Sequence, residues 1–316
     1  MRFMVDGWAP DYGSSLQEVE ELAESKAELT TDVEVPDAGW RPIAASATTE
    51  PSTILFVDGV RRVEARLWLN PDDGGEQAPA LCASYAAGVV RSTRSAATVD
   101  IAEVRRSLLT TAEDADDIVT GLGTWTVAHA KPDPGKQVFD LLSLALQQKL
   151  AELEIICAAN ARAAAPDDVD DLLVIDGPLR GRTNVPRAIG MIKSQHSAYL
   201  PADLNRVVGA LAAGERTPVF RLGTTWERYS WYLRLPGPGG SPWAGIVRVE
   251  CASELSVDEA VALAATSQAV LPRYASEPFK DPRAPQNLYP IAGLERTLRH
   301  RLGDPQLLHR ALRAAG

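Results

Sequence analysis

Two short apolar runs, TILFV at residues 53–57 and LLVI at residues 172–175, each stop at an Asp-Gly pair, and a long amphipathic stretch lies between them. A run of four or five apolar residues closed by turn-forming residues predicts a strand buried on both faces. The intervening stretch carries Leu142, Leu146, Leu150, Leu153 and Cys157 at helical spacing, so one long helix is expected from near Pro134 to about Ala165. Buried strands on either side of such a helix place the chain in the α/β class.

The rest of the pattern fills in around these elements. After Asp58-Gly59 the segment VRRVEARLWL alternates with the two-residue period of a half-buried strand. PDDGGEQ (residues 71–77) is turn chemistry, and residues 80–90 supply a third strand, so an antiparallel meander is expected to open the domain. A further strand is expected around residues 124–130, and IGMIKS (residues 189–194) predicts a short one. A helix from Pro201 to about Ala213, a hairpin of residues 230–235 and 245–251, and three helices near residues 257–267, 291–302 and 305–314 complete the chain. At the other end, Leu16, Val19, Leu22 and Ala23 form one stripe among glutamates, which predicts an acidic helix over Ser15 to Leu29. The expected division is an acidic helix and linker over residues 1–50 and a single domain over residues 51–316.

Composition narrows the chemistry. Apolar residues at 45% and charged residues at 23% are ordinary globular usage, which argues against disorder. No apolar run approaches the roughly 20 residues of a membrane span, and the first residues lack a signal-peptide layout, so no membrane association and a cytoplasmic location are expected. Cys82, Cys157 and Cys251 are odd in number and sit among apolar neighbours, as small buried residues do. The four histidines form no zinc-like spacing, so a metal here needs carboxylates, whose hard oxygens suit magnesium or manganese. A net charge of −10 argues against coating nucleic acid through the whole surface, while leaving room for a local basic track.

Asp-Gly after an apolar strand is also the commonest hairpin signal, and for Asp58 a plain turn competes strongly because an alternating strand follows at once. Asp176 is followed instead by a proline and the basic loop holding Arg180, Arg182 and Arg187. Two strand-end aspartates and a helix carrying Glu152 and Glu154 can bring three carboxylates to one point, the arrangement that metal-assisted phosphodiester cleavage needs. The basic run, with Lys193, then faces substrate phosphates, or else is a solvated loop. The aromatics Trp226, Tyr229, Trp231, Tyr232 and Trp243 suit base stacking or, more often, core packing. No GxxxxGK[ST] motif is present, so movement along DNA driven by ATP falls to a partner.

The order of VDG with a following strand, ELEI, LLVIDGPL and GMIKS resembles the NurA nuclease family from about Thr53 onward, and the segments FRLGTTWERYSWYLRL and PQNLYPIAGLE continue the likeness. The resemblance implies an RNase H-like mixed sheet flanked by helices, with N- and C-terminal helical extensions. It implies a DNA nuclease using Mn2+ or Mg2+, a homodimer, and a hexameric HerA-like ATPase as partner. Asp58, Glu154 and Asp176 are then the metal ligands, with Glu152 the less favoured helix glutamate, and Lys193 touches a phosphate or the metal-bound water. The sequence departs from the family beyond Tyr289-Pro290, where a histidine is usual and Glu295 stands instead, with His300 further along. Glu295 replaces that histidine, or His300 reaches the site, or activity is weakened. The alternative is therefore a non-cutting adaptor subunit of such an ATPase that binds DNA ends. A carboxylate-pair glycosidase is the third reading, weakened by the clustered arginines.

Overall fold

The computed structural model describes residues 23–24, 27–70, 77–164, 170–179, 185–194, 197–224, 226–237 and 243–316. Its strands are β1 (Ala23–Glu24), β2 (Glu28–Thr30), β3 (Thr53–Leu69), β4 (Ala78–Ser92), β5 (Ala97–Thr110), β6 (Ile118–Thr120), β7 (Gly123–His129), β8 (Asp171–Asp176), β9 (Ala188–Ile192), β10 (Ser197–Ala198), β11 (Phe220–Gly223), β12 (Glu227–Arg234) and β13 (Ile246–Ala252). The α-helices are α1 (Val138–Ala163), α2 (Ala202–Ala210), α3 (Val257–Val270), α4 (Tyr289–Arg301) and α5 (Pro305–Ala315). The fold is mixed α/β, with parallel and antiparallel pairings and helices accompanying the strands.

The chain forms two compact units: Met1–Phe56 with Ser92–Ala97 and Asp168–Ala292, and Val57–Arg91 with Thr98–Asp167 and Gly293–Gly316. In the first unit the strand order is β2-β11-β12-β13-β9-β8. Strands β8 and β9 run parallel, with Asp176 opposite Met191, while β9, β13, β12 and β11 pair antiparallel. All seven residues of β13 are buried, as expected for a strand covered on both faces. Trp40, Leu204, Val208, Phe220, Tyr232 and Ile246 form an apolar cluster in this unit. Helix α3 opens on a capping box, Ser256 with Glu259, and its buried Ser267 accepts the Trp231 indole N–H at 3.0 Å.

In the second unit the order is β3-β4-β5-β7-β6, with β5 and β7 parallel. Helix α1 buries Leu142, Leu146, Leu150, Leu153 and Cys157 along one face, the stripe that the sequence predicts. Helix α5 is capped by Asp304 and sets Leu308 and Leu312 in a cluster with Ala65, Cys82, Leu108 and Trp125.

Three expectations about the elements need correction. The expected break at Asp58-Gly59 is absent, because β3 runs unbroken for 17 residues. Strands β5 and β11 were not expected: exposed and half-buried residues through the first part of β5 blur its period, and β11 has only four residues. The acidic helix over Ser15 to Leu29 falls mostly outside the described residues. Where its end is described, Glu28–Thr30 forms β2, paired with β11, so tertiary pairing overrides a weak local helical pattern.

Candidate active site

In the second unit Asp58 is 6% exposed and lies within β3, its Oδ1 accepting the Gly59 N–H at 2.7 Å. A Cβ at position 59 would stand 2.5 Å from Leu150 Cδ1 and 2.8 Å from Glu154 Oε1. Glycine is therefore needed here for close approach rather than for a turn. The missing side chain lets α1 press onto β3 and brings the Glu154 carboxylate, 9% exposed, next to the backbone of the Asp58-Gly59 pair. Glu152, two residues earlier, points to solvent and pairs with Lys149 at 2.9 Å. A helix advances about 100° per residue, so Glu152 and Glu154 cannot share a face.

In the first unit Asp176 ends β8, and the chain leaves it through Gly177 at φ 111°. Lys193, just past β9, donates to Asp176 Oδ2 at 2.6 Å and to Asn287 Oδ1 at 2.6 Å. Asn287 is fully buried, and its Nδ2 donates to Asp281 Oδ2 at 2.8 Å. Those two bonds fix the amide orientation of Asn287 and hold the ammonium of Lys193 against Asp176. With side-chain exposures of 10% and 14%, the Lys193–Asp176 pair is well shielded from solvent screening.

Asp176 and Lys193 line a cleft of about 480 Å³ whose other walls include Tyr199, Trp226, Arg228, Arg248 and Glu250. Glu250 is fully buried on β13. One of its oxygens accepts the Leu179 N–H at 2.7 Å, and the other lies 2.8 Å from Arg248 and 3.1 Å from Arg228. Glu250 thus ties the segment leaving Asp176 to two buried guanidinium groups. A Cβ at Gly190 would meet Gly177 O at 2.7 Å and Leu179 N at 3.1 Å, so β9 packs directly under that segment. Burial, and then the charge of Arg248, pull the Arg228 guanidinium below its ordinary pKa.

The remaining sequence candidates fall as follows. Arg180 and Arg182 lie outside the described residues. Arg187 takes φ 51°, its carbonyl accepts the Leu173 N–H, and its guanidinium pairs with Asp170, which holds it beside the start of β8. Glu295 is half-buried on α4, and His300 is exposed in its last turn. Of the aromatics, Tyr229, Trp231 and Tyr232 are buried, while Trp226 and Trp243 are half-buried.

Asn287, Asp281, Glu250, Arg228 and Arg248 were not singled out from sequence. The alternation in β12 and β13 carried a signal: Arg228 and Ser230 face the same way as Glu250 and Arg248 within otherwise apolar strands. Charged residues at buried strand positions are rarely there without partners.

No family model and no curated protein matches the sequence. Among solved structures, the NurA nuclease from Sulfolobus solfataricus is similar over 87% of this chain and 88% of that one, at 10% identity and a TM-score of 0.47. Human ENDOV is similar over 80% and 84%, at 15% identity and a TM-score of 0.35. The catalytic domain of human Endonuclease V is similar over 83% and 90%, at 14% identity and a TM-score of 0.36. These are distant likenesses, and the chemistry of the site stands on its own residues.

Proposed function

We propose that the chain is a deoxyribonuclease that hydrolyses phosphodiesters with Mn2+ or Mg2+. The observation that carries this reading is the supply of shielded carboxylates: Asp58 and Glu154 in the second unit are 6% and 9% exposed, and Asp176 in the first is held by Lys193 with its side chain 14% exposed. Their donors are hard oxygens, the chemistry that suits these two cations. Asp58 and Asp176 are the ligands in this reading. Glu295, standing where the family resemblance expects a histidine, completes the set, and Glu154 lies as a buried carboxylate beside Gly59. A bound divalent ion supplies Lewis acidity and activates water at neutral pH.

The chain's own residues do the rest. Lys193 holds its ammonium on Asp176 through the Asn287–Asp281 relay and presents its remaining donor capacity toward the cleft, where it can orient a phosphate oxygen. The same relay restrains the Asp176 carboxylate before any ligand arrives, which lowers the reorganisation needed on binding.

The test is cleavage of end-labelled linear DNA with Mn2+. Wild-type protein is expected to cut, and Asp176→Ala and Asp58→Ala to fall to background while retaining the wild-type circular dichroism spectrum. Glu295→Gln against Glu154→Gln, read by Mn2+ titration calorimetry, identifies the third ligand. Absence of cleavage by wild-type protein, even with a HerA-like ATPase present, overturns the nuclease reading in favour of the non-cutting adaptor. We further propose a cytoplasmic homodimer that works on DNA ends delivered by such a hexameric ATPase. Light scattering that gives a monomer, with no co-purification of the ATPase, counts against that assembly.

A further inference from the structure

Arg228 and Arg248 are 4% and 5% exposed and share a single carboxylate oxygen of Glu250. Lys193 is already engaged with Asp176. The described lining of the cleft therefore carries three cations against two carboxylates, with Arg228, Arg248 and Glu250 buried and the Lys193 and Asp176 side chains 10% and 14% exposed. A buried cation without a counter-charge is costly, so a site built this way favours an anion. The donors also point to its kind: a guanidinium offers a planar fork that matches phosphate oxygens, and Arg248 Nε has no hydrogen-bond partner among the described residues. Arg248 also donates to Ser230 at 3.2 Å, which sets the plane of its fork.

The aromatic walls add a second constraint. Arg228 stacks on Trp226 at 4.6 Å and lies 6.0 Å from the Tyr199 ring, while Arg248 lies over Tyr199 at 5.1 Å. The half-buried Trp226 presents an indole at the edge of the same cleft as the two guanidinium groups. A phosphate beside a flat aromatic surface is the recognition pattern of a nucleotide unit, and base stacking tolerates any sequence. The cleft volume of about 480 Å³ is of the size that admits one such unit.

We propose that this cleft binds a phosphate of a nucleic-acid strand, with Arg248 and Arg228 on the phosphate oxygens and Trp226 against the adjoining base. That the phosphate belongs to a nucleic acid rests on the nuclease reading above; the anion site itself rests on the buried charges. It places a strand contact next to Asp176 on residues other than Arg180 and Arg182. Glu250 acts as a positioning residue, setting both guanidinium groups and the segment that leaves Asp176.

The experiment is fluorescence anisotropy of a labelled single-stranded oligonucleotide with the full chain in EDTA, so that metal binding and cleavage play no part. Wild-type protein is expected to bind, with inorganic phosphate competing. Arg248→Gln is expected to weaken binding at least about tenfold and to reduce the slope against log salt by about 1. Trp226→Ala is expected to weaken it while leaving the salt slope unchanged. Should Arg248→Gln fail to fold, Arg248→Lys keeps the charge but loses the fork and is expected to bind more weakly than wild type. Tighter binding of a 5′-phosphorylated strand than of its 5′-hydroxyl counterpart assigns a terminal phosphate, and equal binding assigns an internal phosphodiester. Wild-type affinity and salt slope in folded Arg248 and Trp226 variants overturn the proposal and leave the nuclease reading intact. Strand binding that depends on Arg248, in a protein that never cuts with Mn2+, overturns the nuclease reading alone.

Discussion

Asp58 and Asp176 are each followed by glycine, and the two glycines serve opposite purposes. Gly59 sits inside a continuous strand where any Cβ would strike Leu150 and Glu154. Gly177 has nothing within 4 Å of its would-be Cβ but takes φ 111°, a backbone conformation that L side chains rarely adopt. One is a glycine of packing, the other a glycine of conformation. The surroundings differ in the same sense. Asp58 owes its setting to α1 pressing on β3, whereas Asp176 is held by a polar chain through Lys193, Asn287 and Asp281 and by Glu250 on the segment that follows it. A steric setting and an electrostatic one are expected to fail in two distinguishable ways.

The electrostatic setting around Asp176 gives the larger response. Glu250→Ala leaves two buried arginines without their shared carboxylate, and breaking a buried pair of this kind costs about 3 to 5 kcal/mol. Urea unfolding monitored by tryptophan fluorescence measures it. A loss below 1 kcal/mol shows that solvent or another group already compensates the pair.

The two glycines sharpen the comparison directly. Gly59→Ala is expected to cost about 1 to 3 kcal/mol through overpacking and to lower Mn2+ affinity by displacing Glu154. Gly177→Ala is expected to cost about 1 to 2 kcal/mol from backbone strain alone. Unfolding midpoints and metal titrations on both variants test this, and equal effects on Mn2+ affinity erase the distinction.

A smaller response comes from the thiols, which separate buried from reactive chemistry. Burial, helped by the charge of Glu64, pushes Cys82 up to about 12, and burial pushes Cys157 up to about 11. A folded pKa above the unfolded value contributes stability that is full below the unfolded thiol pKa, near 8.5, and is lost as pH rises through the folded one. Stability is therefore expected to decline from about pH 8.5 upward, less steeply in Cys82→Ala, when urea midpoints are compared at pH 7 and pH 10. The smallest effect belongs to Glu152→Ala: with its side chain in solvent, the variant is expected to stay within about 0.5 kcal/mol of wild type and to cut DNA normally. A large loss of cleavage in Glu152→Ala would move the site to the other face of α1.

Sequence alone determined the elements whose signal is local. The apolar runs at residues 53–57 and 172–175, the stripe along α1, the hairpin of β12 and β13 and the three C-terminal helices follow from periodicity, because burial on one face imposes a period of 2 or 3.6 wherever it occurs. Only the tertiary structure decided what Asp58-Gly59 is. A turn and a close helix contact both call for glycine, and the atoms that distinguish them belong to Leu150 and Glu154, some 90 residues away. The same holds for Glu250 with Arg228 and Arg248, and for Lys193 with Asn287: each is an ordinary charged or polar residue in sequence, and acquires meaning from a partner brought in by strand pairing or by a distant loop. Periodicity records which side of an element is buried, but not which distant side chain it is buried against.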